Sequence, residues 1–455
     1  MKALFAHNAL LPEGWRKNVL LQWDDRGNFS AVQADAVAAP GIPGARLVMP
    51  GMVNLHSHAF QRALGGLTEV AGDAQDSFWT WRDLMYRFAR NITPEQMEAI
   101  AAQLYTECLR HGYTALCEFH YVQRAPDGSL YPQASETAQR VIAAARQAGI
   151  GITMLPVLYS WAGFGEQPLK PEQARFRTDA RDVLKIIGEL EPLRDGQVEV
   201  GVAPHSLRAA SLSQIRDVLD HLPKARPVHI HIAEQQGEVQ QALDFCGQRP
   251  VQYLLGNLPV DARWCLVHAT HLAPEEVTAI ARSGAVAGLC PTTEANLGDG
   301  LFPLESFLAQ GGRFGVGSDS HVSHSAVEEL RWLEYGQRLS QQRRNIAVSA
   351  GQRRVGDFLW QAALQGGAQA AGRPVGALAA GKRADLVVLD DGHPNLDGID
   401  AADVLGCFVF SGNDNLVRDV MVGGHWVVRS QEHVAQPAIT ARFKKTLAEL
   451  RELRT

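Results

Sequence analysis

Nowhere does the 455-residue chain run for about 18 apolar residues, so no membrane-spanning helix is predicted. It has no basic block and no acidic tail: 43 Lys plus Arg are mixed with 49 Asp plus Glu for a net charge of −6. Neither nucleic acid nor a membrane surface is therefore an expected partner, whereas a small molecule is. The six cysteines, Cys108, Cys117, Cys246, Cys265, Cys290 and Cys407, form no CxxC pair and no framework spacing. A disulfide scaffold is not expected, and thiols kept reduced point to the cytoplasm. The opening MKALFAHNALLPEGW breaks its apolar run at His7 and Asn8 and does not read as a signal peptide. No internal repeat or low-complexity tract is visible. What is present, 46% hydrophobic and 20% charged residues, is the composition of a globular protein. The length suits one large domain and a smaller one, with assembly as a homodimer allowed for.

The first 48 or so residues alternate short apolar runs with turn signals, as in NVLLQW, DDRGN and FSAVQ, the pattern of small antiparallel strands. The same texture returns in ADLVVLD, VRDVMVGG and HWVVRS, with Gly423-Gly424 suited to a two-residue hairpin turn. Residues 1–48 and 376–455 are therefore expected to fold together as a small β-sandwich subdomain, with ITARFKKTLAELRELRT as a terminal amphipathic helix that packs rather than acts. Between them, residues 49–375 alternate apolar strands with helical patterns, the signature of a parallel α/β architecture. Eight candidate strands, ARLVMPGMVNLH, YTALCEFH, GITMLPVLY, VEVGVAP, PVHIHIA, RWCLVHA, AVAGLCP and RFGVGSD, fit a (β/α)8 TIM-like barrel. The excess over the usual barrel length of about 250 residues falls in the first β-to-α connection, Gln61 to Asn91.

Candidate chemistry gathers at the ends of these strands. His56 and His58 close strand one in NLHSH, and residues two apart on a strand share a face, which is chelating geometry. PVHIHIAE places His229 and His231 on one face of strand five with Glu234 beyond, RWCLVH ends strand six on His268, and GVGSDSH ends strand eight on Asp319. In a closed barrel strand eight adjoins strand one, and active sites occupy the C-terminal rim. Nitrogen and carboxylate groups delivered there from four strand ends suit a catalytic zinc ion with one position open for water.

HSH, HIAE, LVHA and GSDSH, in this order at the ends of strands one, five, six and eight, resemble the amidohydrolase superfamily in its single-metal deaminase branch. The resemblance extends over essentially the whole chain, including PVGALAAGKRADLVVLD. It implies metal ligands His56, His58, His231 and Asp319, a proton shuttle at Glu234 and a water-holding His268. The HxxE spacing selects His231, leaving His229 as a hydrogen-bonded interior histidine. Binuclear relatives bridge their metals with a lysine at the end of strand four. Here that strand runs VGVAPHSLR, so one zinc per chain is expected. Glu234 and Asp319 are then the proton managers of a hydrolysis that turns C=N or C–NH2 into C=O and ammonia.

Rim residues carry the substrate. Gln61 and Arg62 follow the metal pair, Arg82 sits in FWTWRDLMY, Tyr121 follows strand two, and His205 and Arg208 follow strand four in PHSLR. A guanidinium at a rim can grip a carboxylate bidentately, which a purine or pterin would not require. For Arg62 a solvated surface charge is the simpler reading. NLHSHAFQRALGG, FWTWRDLMY and APHSLRA closely resemble the formiminoglutamate-deiminating members of the superfamily, which act in histidine degradation. That implies conversion of N-formimino-L-glutamate and water to N-formyl-L-glutamate and ammonia. It places Arg82, Tyr121 and Arg208 on the carboxylates and polar atoms of this acidic substrate, and Gln61 and His205 nearer the formimino group. Three other readings stay open. They are a deaminase of a purine, pterin or other cyclic amidine stacked on FWTW, a triazine-type hydrolase releasing chloride, and an inactive barrel used as a scaffold.

Overall fold

Strands that alternate apolar residues on both faces must be covered twice, and this pattern decides how the two ends of the chain are used. The structure is a computed structural model that describes residues 2–70 and 78–452. It opens with β1 (Lys2–Leu11), β2 (Gly14–Trp23), β3 (Phe29–Gln33) and β4 (Gly44–Pro50). In β4 Leu47 and Met49 belong to the large core around the barrel, while Ala45 and Val48 belong to a second, smaller core. The strand is the partition between the two.

The barrel follows. Its strands are β5 (Met52–Ser57), β6 (Tyr113–His120), β7 (Gly151–Leu158), the short pieces β8 (Val198–Val200) and β9 (Ala203–Pro204), β10 (Val228–Ile232), β11 (Trp264–His268), β12 (Val286–Leu289) and β13 (Arg313–Val316). Two parallel arrays, β5-β6-β7-β8 and β10-β11-β12-β13, are joined by single bridges between Val202 and Val228 and between Ser57 and Asp319. β8 and β9 are one interrupted strand, so eight strands close the ring, as the sequence predicts. Four strands return to the first sheet: β14 (Leu386–Leu389), β15 (Val417–Val422), β16 (His425–Arg429) and β17 (Glu432–His433). The order is β17-β16-β15-β14-β4-β1-β2-β3, and the chain ends meet where Val387 opposes Met49. The expected α/β barrel with a β subdomain from both chain ends is the fold observed.

Two details differ from expectation. ARLVMPGMVNLH was expected to be a single strand, but Gly44–Pro50 pairs with the chain-end sheet and Met52–Ser57 opens the barrel. The passage between the two bodies thus lies at Gly51, past the expected 48/49. The continuous apolar run hides the break because both halves are buried. The helices Val404–Phe410 and Gln436–Glu452 lie within the segment assigned to the β subdomain, yet the first packs on barrel helix Val355–Ala371 and the second on barrel helix Pro94–Arg110. Among the described residues, no helix is long and apolar enough to cross a membrane.

Helix Val355–Ala371 seals the N-terminal end of the barrel, opposite the strand ends that carry the chemistry. Its last carbonyls accept hydrogen bonds inside the ring: Thr153 Oγ1 donates to Ala371 O at 2.8 Å and the His229 ring donates to Ala370 O at 2.8 Å. His229 is therefore the interior histidine expected from its place in the strand. Contact is close because Gly366 faces β13 without a side chain; a Cβ there would lie 1.9 Å from the Phe314 carbonyl oxygen. Backbone opposes backbone, so neither side can yield cheaply.

Gly366→Ala should lower the denaturant midpoint by a loss of about 2–3 kcal/mol or more from overpacking. Gly188→Ala, on a helix with nothing within 4 Å of the new Cβ, should be neutral or stabilise by up to about 1 kcal/mol. Equal midpoints for the two variants would refute the close approach.

Candidate active site

Barrel closure sets the floor of the site. Asp319 N donates to His56 O at 3.0 Å and His58 N donates to Asp319 O at 3.3 Å, so the first and eighth strand ends are stitched through the candidate ligands' own backbones. The imidazoles then converge. His56 Nε2 lies 3.1 Å from His58 Nε2 and 3.0 Å from His231 Nε2, with Asp319 Oδ1 3.5 and 3.3 Å from the first two rings.

Their protonation follows from the outer contacts. His58 Nδ1–H donates to Phe119 O at 2.8 Å and His231 Nδ1–H to His205 O at 3.0 Å, which leaves lone pairs on both inward Nε2 atoms. Burial keeps the rings neutral, holding His56 at about 3 and His231 well below the usual histidine range. Burial raises Asp319, but His56, His58 and His268 outweigh it and hold the carboxyl below the usual range. Facing lone pairs about 3 Å apart beside a carboxylate repel unless a cation lies among them. Tetrahedral zinc with bonds of 2.0–2.1 Å would separate such nitrogens by about 3.3 Å, so the donor set fits that ion.

Behind this cluster, Glu118 on β6 accepts from Ser57 Oγ at 2.7 Å, Ala59 N at 2.7 Å and Tyr105 OH at 3.0 Å. Burial lifts its carboxyl to about 7 even so. It clamps the turn that carries His58. On the other side His268 Nε2 stands 3.7 Å from Glu234 Oε1 and 3.7 Å from Asp319 Oδ2, and its Nδ1 is 3.3 Å from Glu294. Five non-glycine residues in the left-handed backbone region crowd these strand ends: Ala233 (φ 50°), His268 (66°), Ala269 (48°), Asp319 (44°) and His321 (63°). Each costs on the order of 1–3 kcal/mol, and such strain concentrates where side chains must be aimed.

Above the cluster opens a cavity whose empty space, its open mouth included, is about 610 Å³. All five rim residues expected to meet substrate, Gln61, Arg82, Tyr121, His205 and Arg208, line it beside His58, His231, Glu234, His268 and Asp319. Gln61 Nε2 donates to Tyr121 OH at 2.9 Å, while the buried Gln61 Oε1 finds no partner among the described residues. Arg208 is buried and Arg82 partly so, with its guanidinium 5.5 Å from the Tyr86 ring centre. Arg62 turns away: it forms a two-pronged ion pair with Glu107 at 2.7 and 2.9 Å, so it is neither a cavity residue nor a freely solvated charge. The side chains of Phe78 and Trp79, half of the proposed FWTW stacking platform, lie outside the described residues.

Tyr86, Tyr159 and Glu294 went unnamed in the sequence. Tyr86 OH and Tyr159 OH are 2.9 Å apart, and Gln173 Nε2 donates to Tyr159 at 2.7 Å, forming one polar wall. Tyr159 follows strand three, a rim position the barrel rule could have flagged. Tyr86 lies one helical turn beyond Arg82 on Phe78–Ala89, so the two share a face.

Comparison with known proteins bears on what this cavity can do. A model of the amidohydrolase family matches residues 47–427. A Pseudomonas aeruginosa protein named formimidoylglutamate deiminase is 53% identical over 453 residues, covering 99% of this chain and all of that protein. The crystal structure of an amidohydrolase from Brucella melitensis superposes with a TM-score of 0.94 at 43% identity, covering 99% of this chain and all of that one. An adenosine deaminase of Xanthomonas campestris, solved with bound zinc, shares the fold at a TM-score of 0.81 and 21% identity over 99% of this chain and 98% of its own.

A divalent metal at the three-histidine cluster should stabilise the folded chain, by about 2.7 kcal/mol at 100 times its Kd. Chelator-treated protein should therefore melt below zinc-loaded protein, and His231→Ala should abolish the difference. An unchanged difference in that variant would place the metal elsewhere.

Proposed function

Because the chain belongs to the amidohydrolase family, we propose that it hydrolyses N-formimino-L-glutamate to N-formyl-L-glutamate and ammonia, in the cytoplasm, with one zinc ion held by His56, His58, His231 and Asp319. It is a metal-dependent hydrolase of a C–N bond. One observation carries the choice of substrate: two guanidiniums, Arg82 and Arg208, line the same cavity as Glu234, His268 and the metal cluster. A molecule with a formimino group on its α-nitrogen, one carboxylate on the α-carbon and a second at the end of the side chain can place each group against this lining. The full-length relative of that name supports the same reading.

When bound, the metal lowers the pKa of water toward about 7 and polarises the carbon under attack. The protein's own groups do the rest. Burial lifts the Glu234 carboxyl to about 7 despite the opposing pull of His268, so it exchanges protons readily near neutrality. It takes a proton from the attacking water and delivers it to the imino nitrogen. The water oxygen joins the formimino carbon, the bond from that carbon to the imino nitrogen breaks, and the nitrogen leaves as ammonia carrying the water's protons. Burial lowers His268, but Glu234, Glu294 and Asp319 outweigh it and raise the ring to about 10. Its Nε2, 3.7 Å from Glu234 and from Asp319, is placed to hold the adding oxygen. Arg82 and Arg208 grip the carboxylates, Tyr121 holds polar atoms, and Gln61 and His205 lie nearer the formimino group.

The deciding assay compares ammonia release from N-formimino-L-glutamate with release from guanine, adenosine and free histidine. Turnover of a purine without turnover of the formimino compound would overturn the proposal. Elemental analysis should find one zinc per chain; two equivalents, both needed for activity, would refute the mononuclear site. Glu234→Gln should keep the metal and lose about 100-fold or more in kcat. Metal loss on that substitution would make Glu234 a ligand instead.

For Arg208→Met, kcat/KM should fall by about 2–5 kcal/mol in transition-state binding, with metal content unchanged. The deficit should shrink for an analogue lacking one carboxylate, because both deletions remove one interaction. Equal deficits for the two compounds would assign Arg208 to holding the loop.

A further inference from the structure

We propose that Glu294 is a positioning residue for His268, the contribution of the seventh barrel strand to the site, an inference that rests on the reaction proposed above. β12 ends at Leu289, and Cys290 leads into the short helix Pro291–Leu297 that carries Glu294. The carboxylate folds back over the start of this helix: Cys290 N donates to Glu294 Oε1 at 2.9 Å. The same oxygen lies 3.3 Å from His268 Nδ1. Both side chains are buried, Glu294 at 5% and His268 at 1% exposure, so water does not compete for the contact.

The consequence is a fixed direction for the ring. A carboxylate accepting from Nδ1–H keeps a proton on that nitrogen and aims Nε2 the other way, toward Glu234 and Asp319 at 3.7 Å each. The backbone does not impose this aim by itself, since His268 and Ala269 both sit in the disfavoured left-handed region at φ 66° and 48°. Ala269 N, donating to Ile232 O and Val267 O at 3.0 Å each, holds the main chain there, and the side-chain tether aims the ring. The tether is itself anchored. Asp299 N donates to Glu294 O at 2.9 Å, and the Asp299 carboxylate accepts from the side chain of Gln235, the residue after Glu234. Carboxylate, imidazole and proton shuttle are thereby held in one frame.

The test uses zinc-loaded protein carrying Glu294→Gln, His268→Asn or both. In the parent, the Nδ1 proton of His268 should give a downfield proton resonance, assigned by its loss in His268→Asn. Glu294→Gln should shift it upfield or remove it. For N-formimino-L-glutamate, Glu294→Gln should lower kcat about 10- to 100-fold with KM within about twofold and the metal retained. Adding it to His268→Asn should cost nothing further, because Glu294 acts through His268. A resonance unmoved by Glu294→Gln, or losses that multiply in the double variant, would overturn the inference. Should Glu294→Gln fail to fold, Glu294→Asp serves, with the resonance displaced and kcat partly kept; an unmoved resonance there is equally decisive. A parent that releases no ammonia from N-formimino-L-glutamate overturns the proposed reaction, while the resonance still decides the contact.

Discussion

Everything at the active site hangs on the seam where β13 meets β5. The two strands touch through a single bridge, Ser57 with Asp319, and the flanking hydrogen bonds run between the backbones of His56, His58 and Asp319. Close approach is possible because Gly317 precedes the turn: a Cβ there would stand 2.7 Å from His56 N. Asn54 then fastens the seam from the strand interior, accepting from Ser318 N at 3.0 Å and donating to Ser318 Oγ at 2.6 Å. His321 links Ser318 to Ser57 by contacts of 2.9 and 3.3 Å. The candidate metal centre, built on residues far apart in sequence, is thus tied directly to the barrel closure that unites them.

That closure concentrates charge in a place from which water is largely excluded. Asp319, Glu234 and Glu294 surround His268, and burial alone would push Asp319 and Glu234 up and the imidazole down. The outcome differs by neighbour. Asp319 is held down by three histidines, Glu234 is lifted to about 7, and His268 is lifted to about 10 by its carboxylates. The acid, base and ligand roles proposed for these groups would thereby be divided among similar chemistries by position. The two arginines at the cavity's upper wall extend the same logic to the substrate, since a dianion would supply the charge that the acidic floor repels and the guanidinium wall accepts.

Local pattern made most of the metal cluster visible in the sequence. His56 and His58 are two apart on a strand, His231 and Glu234 stand at the end of another, and barrel topology requires such ends to share one mouth. What local pattern could not carry was any feature that depends on which partner a side chain meets. Arg62 follows the metal pair by a few residues, yet it lies in a 3-10 turn and pairs with Glu107 of helix Pro94–Arg110. Glu294 lies in a helix with no barrel-facing signature and reaches His268 only because Cys290 N draws its carboxylate back. The break at Gly51 was masked for the opposite reason: strands buried on both faces look alike whichever sheet they join.

The two ends of the barrel therefore hold different kinds of structure. At the N-terminal end, helix Val355–Ala371 and Arg373 saturate the exposed backbone, with Arg373 donating to the carbonyls of Ile152, Gln197 and Gly196. At the C-terminal end five non-glycine residues sit in a disfavoured backbone region. Such strain persists only when the rest of the fold is stable enough to offset it. The well-packed closed end supplies that stability, and it leaves the open end free to point its groups at a metal ion and a substrate rather than at each other.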